Sequence, residues 1–149
     1  MKIEEEIKQK KFANEYQKMV VNILFTGSWL SSLSNKNLKP FGLSQEQYNI
    51  LRILRGQYPN PSSIQLLMER MIDKSSNASR IVEKLRVKGL VERNECKKDR
   101  RLVDVLINEK GMILMKEIDK TFDTWESSFK SLTEDEAKTI NGLLDKLRG

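Results

Sequence analysis

"KSSNASRIVEKLRVKGLVERNECKKDRRLVDVLI", residues 74–107, decides the fold. Its first half is helical. Ala78, Ile81, Val82 and Leu85 recur at i, i+3, i+4 and i+7, a narrow stripe for burial. At about 100° per residue the opposite side carries Ser76, Arg80 and Glu83, flanked by Asn77, Ser79 and Lys84. Gly89 ends the helix, which should span about 75–88 with Asp73 or Ser75 as its cap. The second half is strand-like. "LVERNE" and "RLVDVLI" flank a basic loop, and in the second run Val103, Val105 and Ile107 alternate with Leu102, Asp104 and Leu106. A β-hairpin closed by that loop is the simplest reading.

Upstream, "NPSSIQLLMERM" supplies a short helix over about 62–71 with Ile64, Leu67, Met68 and Met71, and "IDKSS" turns the chain into the next helix. Before it, "LSQEQYNILRIL" carries Ser44 and Gln47 in the spacing of a capping box. A helix over about 45–57 follows, stopped by Pro59 and Pro61, which force extended backbone before them. The first segment, about 3–34, has apolar residues from Ile3 to Leu33 at mostly helical spacing and reads as one long helix, with Gly27 marking a bend or a close helix contact. Downstream, Asn108 caps a helix over about 109–130, with Leu114, Ile118, Phe122, Trp125 and Phe129 on one stripe. Thr133 and Glu136 form a second capping box ahead of a last helix bearing Ala137, Ile140, Leu143, Leu144 and Leu147.

Composition narrows the chemistry. The chain has 149 residues, the size of one domain, and 38% hydrophobic residues, enough for a core. No apolar run reaches membrane-spanning length, and the N-terminus lacks the apolar centre of a signal peptide, so a cytoplasmic location without membrane contact is expected. There is no histidine and a single cysteine, Cys96. That rules out Ser-His-Asp and Cys-His nucleophiles and the usual Cys/His zinc sets. Glycine-rich phosphate cradles are missing as well, so neither a catalytic site, a metal nor a cofactor is expected.

The net charge of +6 is concentrated. From Lys74 to Arg101 there are ten Lys/Arg and four Asp/Glu; the rest of the chain has 17 of each. A basic window of this kind points to an anionic partner. Two helices joined by a turn, with short hydrogen-bonding residues and an arginine at the start of the second, form a helix-turn-helix whose second helix enters the major groove. Ser and Asn can bond phosphates or base edges, and arginine can make a two-pronged contact with guanine. Which of Ser76, Asn77 and Arg80 reads bases and which holds phosphate stays open. Glu83 and Glu92 read as solvated or ion-paired acids.

These residues resemble the MarR family of transcription regulators. "GLVER" at 89–93 and "DRRLVDVLINEKG" at 99–111 follow the family's wing pattern, through Asp99, Arg101, Val103, Val105, Ile107, Lys110 and Gly111. "SSNASRIVEKLRVKG" at 75–89 is similar to its recognition helix and "GLSQEQYNILRIL" at 42–54 to its second helix. Asn108 departs from the usual Thr or Ser but caps helices equally well.

The resemblance implies a mainly α fold with a small β-hairpin. A winged helix-turn-helix lobe at about 42–111 would be flanked by N- and C-terminal dimerisation helices at about 1–36 and 109–149, all one domain. It implies a homodimer on double-stranded DNA with a pseudo-palindromic operator, acting as a repressor released by a small-molecule effector.

The DNA-binding residues expected are Ser75, Ser76, Asn77, Ser79, Arg80 and Lys84 on the helix, and Lys97, Lys98, Asp99, Arg100 and Arg101 on the wing. Lys97 and Lys98 would hold phosphates. Arg101 would enter the minor groove, where narrow geometry concentrates negative potential, and Asp99 would hold it in place. Arg100 stays between a phosphate contact and none. Cys96 reads as an ordinary strand-end residue, since the family's peroxide sensors carry their cysteine in the first helix. An effector pocket between the dimer helices and the DNA-binding lobe could be lined by Tyr16, Phe25, Trp29, Phe41 and Tyr48. The competing reading is a winged-helix interaction module whose basic face meets an acidic protein.

Overall fold

In the computed structural model, Met1–Glu95 and Val103–Gly149 are described, apart from the side chains of residues 95, 122 and 123. Cys96 and the wing residues Lys97, Lys98, Asp99, Arg100 and Arg101 lie outside the described residues.

The helices of the lobe begin where side chains can satisfy their first N–H groups. The Ser44 hydroxyl accepts from the Gln47 N–H and Gln47 Oε1 from the Ser44 N–H, and α3 runs Gln45–Gln57. Ser63 caps α4, Ile64–Arg70, by accepting from the Leu66 N–H at 3.1 Å. Asn77, rather than Asp73 or Ser75, caps α5, Ala78–Val87, through the Arg80 N–H at 3.0 Å. α5 is therefore shorter than its sequence signal, and three of its expected N-terminal residues belong to the turn.

Three strands close the lobe in the order β1-β3-β2: β1 is Ser62–Ser63, β2 Val91–Glu95 and β3 Val103–Ile107. The expected hairpin is present, with Val91 opposite Ile107 and Arg93 opposite Val105. The third strand was not expected; Ser62 pairs with Val105 and Ser63 with Asp104 where a helix start was read. The proline-flanked chain before α4 is extended, and β3 offers it a free edge.

Leu51, Leu54, Leu67, Val82, Leu85, Val105 and Ile107 are buried in one core shared by α3, α4, α5 and the sheet. Asn108 joins the sheet to α6, Glu109–Asp119: its Oδ1 accepts from the Gly111 N–H at 2.9 Å and its Nδ2 donates to the Gly89 carbonyl at 3.0 Å. Gly111 sits where this junction is tightest.

The flanking helices differ from the sequence reading in two places. The single helix over 3–34 is two: α1, Ile3–Glu6, and α2, Glu15–Leu38. Lys8 adopts a left-handed backbone (φ 55°), and Asn14 starts α2 by accepting from the Gln17 N–H at 2.9 Å. The polar run between them has little to bury. α2 continues through Gly27, and nothing beyond its own stretch of helix lies within 4 Å of where its Cβ would sit, so the single chain gives that glycine no close helix contact. The helix over 109–130 is also split, into α6 and α7, Phe122–Ser127. Thr121 marks the break: both its N–H and its hydroxyl donate to the Ile118 carbonyl, at 2.9 and 2.7 Å, and compete with helix continuation. α8, Glu134–Arg148, starts at the Thr133–Glu136 capping box as read. Among the described residues, no helix is long and apolar enough to cross a membrane.

Candidate nucleic-acid interface

The turn between α4 and α5 is tied from both sides. Met71 is buried beneath it, and the Ile72 N–H donates to Oδ1 of the buried Asn49 on α3 at 2.9 Å. Asp73 then gathers the next two residues. Its carboxylate accepts from the Ser75 N–H at 2.9 Å, the Ser75 hydroxyl at 2.7 Å and the Ser76 hydroxyl at 2.8 Å. These bonds, the Ser75 hydroxyl first, hold the Asp73 carboxyl below its ordinary range, so it is ionised at neutral pH.

This geometry sorts the expected contacts. The Ser75 and Ser76 hydroxyls donate to Asp73 and the Asn77 oxygen is held by the helix cap, so their polar groups shape the turn. Ser79 is half-buried at the first turn of α5. Arg80 and Lys84 are exposed on one outward stripe, and among the described residues neither has an ion pair. An α-helix start also offers unpaired N–H groups and a positive dipole end, which suit a phosphate.

The other described cations of the basic window are engaged. Arg86 and Arg93 both pair with Glu83, at 2.7 and 3.4 Å. Lys88 donates to the Gly42 carbonyl and, at 3.2 Å, to Gln47 Oε1, pinning the end of α5 to the start of α3. Lys74 donates to the Glu69 carbonyl. Glu83 is thus ion-paired and Glu92 exposed, in line with the sequence reading.

A cavity of about 440 Å³ opens where α2, α3, α6 and α7 meet. Leu30, Leu38, Ile72, Ile118 and Trp125 give it apolar walls; Asn49, Arg52 and Arg55 give it polar ones. Of the five aromatics expected at an effector pocket only Tyr48 lines it. Tyr16 is 78% exposed on α2, Phe25 is exposed, and Phe41 packs against the lobe core. Trp29 instead meets Phe129 edge-on, with ring centroids 6.2 Å apart, and Phe129 in turn meets Trp125 at 5.2 Å. The Asn49, Arg52 and Arg55 lining was missed. All three sit on α3, whose polar positions look like a solvent face in the sequence, and α2 forms the facing wall of the cavity. Arg55 also reaches Asp119 at 2.7 Å, joining α3 to α6.

A recognition-type helix, the turn before it and a hairpin after it, on one small core, make this a winged helix-turn-helix protein. Comparisons agree. Residues 43–103 match the family model described as MarR family. Over 114 residues the chain is 25% identical to the HTH-type transcriptional regulator MgrA of Staphylococcus aureus, covering 76% of each protein. The crystal structure of the transcriptional regulator BldR from Sulfolobus solfataricus superposes with a TM-score of 0.69 at 27% identity, covering 99% of this chain and 98% of that one. The S. aureus MepR–DNA complex superposes with a TM-score of 0.75 at 18% identity, covering 92% and 96%. Residues 43–103 thus carry a MarR-family match, and the chain's fold and likeness are those of DNA-binding transcription regulators rather than of enzymes.

Proposed function

We propose that the protein is a homodimeric repressor in the cytoplasm that leaves its operator when a small molecule fills the cavity beside α3. The observation that carries this reading is Asn49. It lines the cavity, and its side-chain oxygen holds the Ile72 N–H, the start of the turn into the recognition helix. A ligand that displaces Asn49 or wedges Ile72 alters the position of α5. It shifts the equilibrium only by its difference in affinity for the two arrangements.

Dimerisation is supported by what the single chain leaves uncovered. α8 has no buried residue, and Ile140, Leu143 and Leu147 on it are exposed, as are Tyr16, Val20 and Leu24 on α2. Helices with apolar stripes this open are stabilised by packing against another surface. Two chains paired through these helices carry two recognition helices, which meet successive major grooves about 34 Å apart. The operator is then a pseudo-palindrome. Residues 1–149 act as one domain, with Arg80 and Lys84 meeting the groove and its phosphates. Lys97, Lys98 and Arg101 extend the contact on the wing, with Asp99 orienting Arg101.

The test is a titration with duplex DNA selected from random sequence, run at two salt concentrations. Arg101→Ala weakens operator binding by about 1–3 kcal/mol, the scale of one good arginine contact. Unchanged affinity and an unchanged salt slope would sink the wing assignment. Small molecules are then screened for loss of operator binding and for a rise in melting temperature. A compound that binds the chain yet leaves operator affinity untouched is no effector.

A further inference from the structure

Glu83 is the one acid of α5, and it stands on the outward stripe with Arg80 and Lys84. Arg86 meets both of its carboxylate oxygens, through Nε at 3.0 and 3.2 Å and Nη2 at 2.7 Å. Arg93, from β2 at the base of the wing, reaches it at 3.4 Å. The hydrogen bond from Arg86 holds the carboxyl below the usual range; burial opposes it as the next largest effect, and the charge of Arg86 with the bond and charge of Arg93 add to the lowering, so it stays ionised at neutral pH. A carboxylate on a DNA-facing stripe is repelled by phosphate. Exposed ion pairs add little stability, so stability alone is a weak reason to keep it there.

We propose that Glu83 sets specificity by withholding Arg86 and Arg93 from the DNA backbone. Binding to DNA of arbitrary sequence is almost wholly phosphate neutralisation, and each phosphate engaged steepens the salt dependence by about 0.9 in log–log slope. Binding to an operator adds contacts with base edges. Removing two guanidiniums from phosphate therefore weakens binding to arbitrary DNA proportionately more than binding to the operator, and the ratio between them rises. Glu83 acts through the two arginines and is a positioning residue.

This rests on the DNA-binding reading, and the experiment separates the two. Glu83→Gln keeps the side-chain shape at a site that is 41% exposed, so the fold is retained. Binding to a random-sequence duplex and to the operator is titrated between about 50 and 200 mM salt. For the random duplex the slope steepens by about 0.9–1.8, so that the loss of affinity across this range grows by about 3.5- to 12-fold over wild type. The operator-to-random ratio falls. Arg93→Gln has little effect on the slope in the wild-type background and removes part of the gain in the Glu83→Gln background. Equal effects of Arg93→Gln in both backgrounds, or an unchanged slope in Glu83→Gln, overturn the proposal. So does a loss of preference at a single C·G pair with the slope unchanged, which makes Glu83 a base reader. Wild-type protein that binds no duplex in a salt-sensitive way removes the DNA-binding reading itself, and this inference with it.

Discussion

Replacing Gly111 with alanine puts a methyl group where the first turn of α6 crosses the start of β2. An ideal Cβ there lies 2.3 Å from the Leu90 carbonyl oxygen and 2.7 Å from Ile107 Cγ1. A comfortable carbon–oxygen contact is near 3.3 Å, so one partner has to move by about 1 Å. Neither moves freely. The Leu90 carbonyl is bonded to the Asn108 N–H at 3.3 Å, and Ile107 is fully buried. Overpacking of this kind costs about 1–3 kcal/mol, and contact with backbone favours the upper end. Alanine returns about 1 kcal/mol of helix propensity. The net loss is then about 2 kcal/mol, or about 4–8 °C in Tm for a chain of this size. Gly56→Ala is the control: Gly56 is exposed within α3 and nothing lies within 4 Å of its Cβ position, so it gains about 0.5–1 kcal/mol. Thermal unfolding followed by circular dichroism, at one protein concentration because association shifts Tm, compares the two. If Gly111→Ala melts at or above wild type, the packing reason for this glycine is wrong.

Two further outcomes follow from the turn before α5. Asn49→Ala takes the acceptor from the Ile72 N–H and lowers stability by about 1–2 kcal/mol, read as a shift in urea midpoint; no shift refutes the anchoring role. Asp73 has a folded pKa below its ordinary value of 3.8, so the stability it adds is present above that value and lost as pH falls through the folded one. The Tm difference between wild type and Asp73→Asn is therefore constant above about pH 5 and shrinks on acidification. A difference that widens in acid contradicts the hydrogen-bonded carboxylate.

Much of the fold was legible because its signals are local. Ser44 with Gln47, Thr133 with Glu136, Asn108 and Gly89 each act within four residues of themselves, and all four are used as read. The start of α5 was not. Asp73, Ser75 and Asn77 are all good caps within five residues, and the choice depends on Met71 being buried and Ile72 being held by Asn49, 23 residues away. β1 is two residues long and exists because β3, about forty residues later, pairs with it. The cavity walls were not legible for the same reason: they come from four helices and the turn before α5, brought together by the fold.

By itself the sequence determined the order of elements, most helix starts, the buried stripe of α5 and the concentration of positive charge. These follow from periodicity, capping chemistry and counting, which need no distant partner. The folded structure decided which of the window's described cations are engaged. Arg86, Arg93, Lys88 and Lys74 look identical to Arg80 and Lys84 in a string of letters. Folding brings Glu83, Gly42, Gln47 and the Glu69 carbonyl within bonding distance of the first four. It leaves Arg80 and Lys84 without an ion pair among the described residues, on the outward stripe of α5.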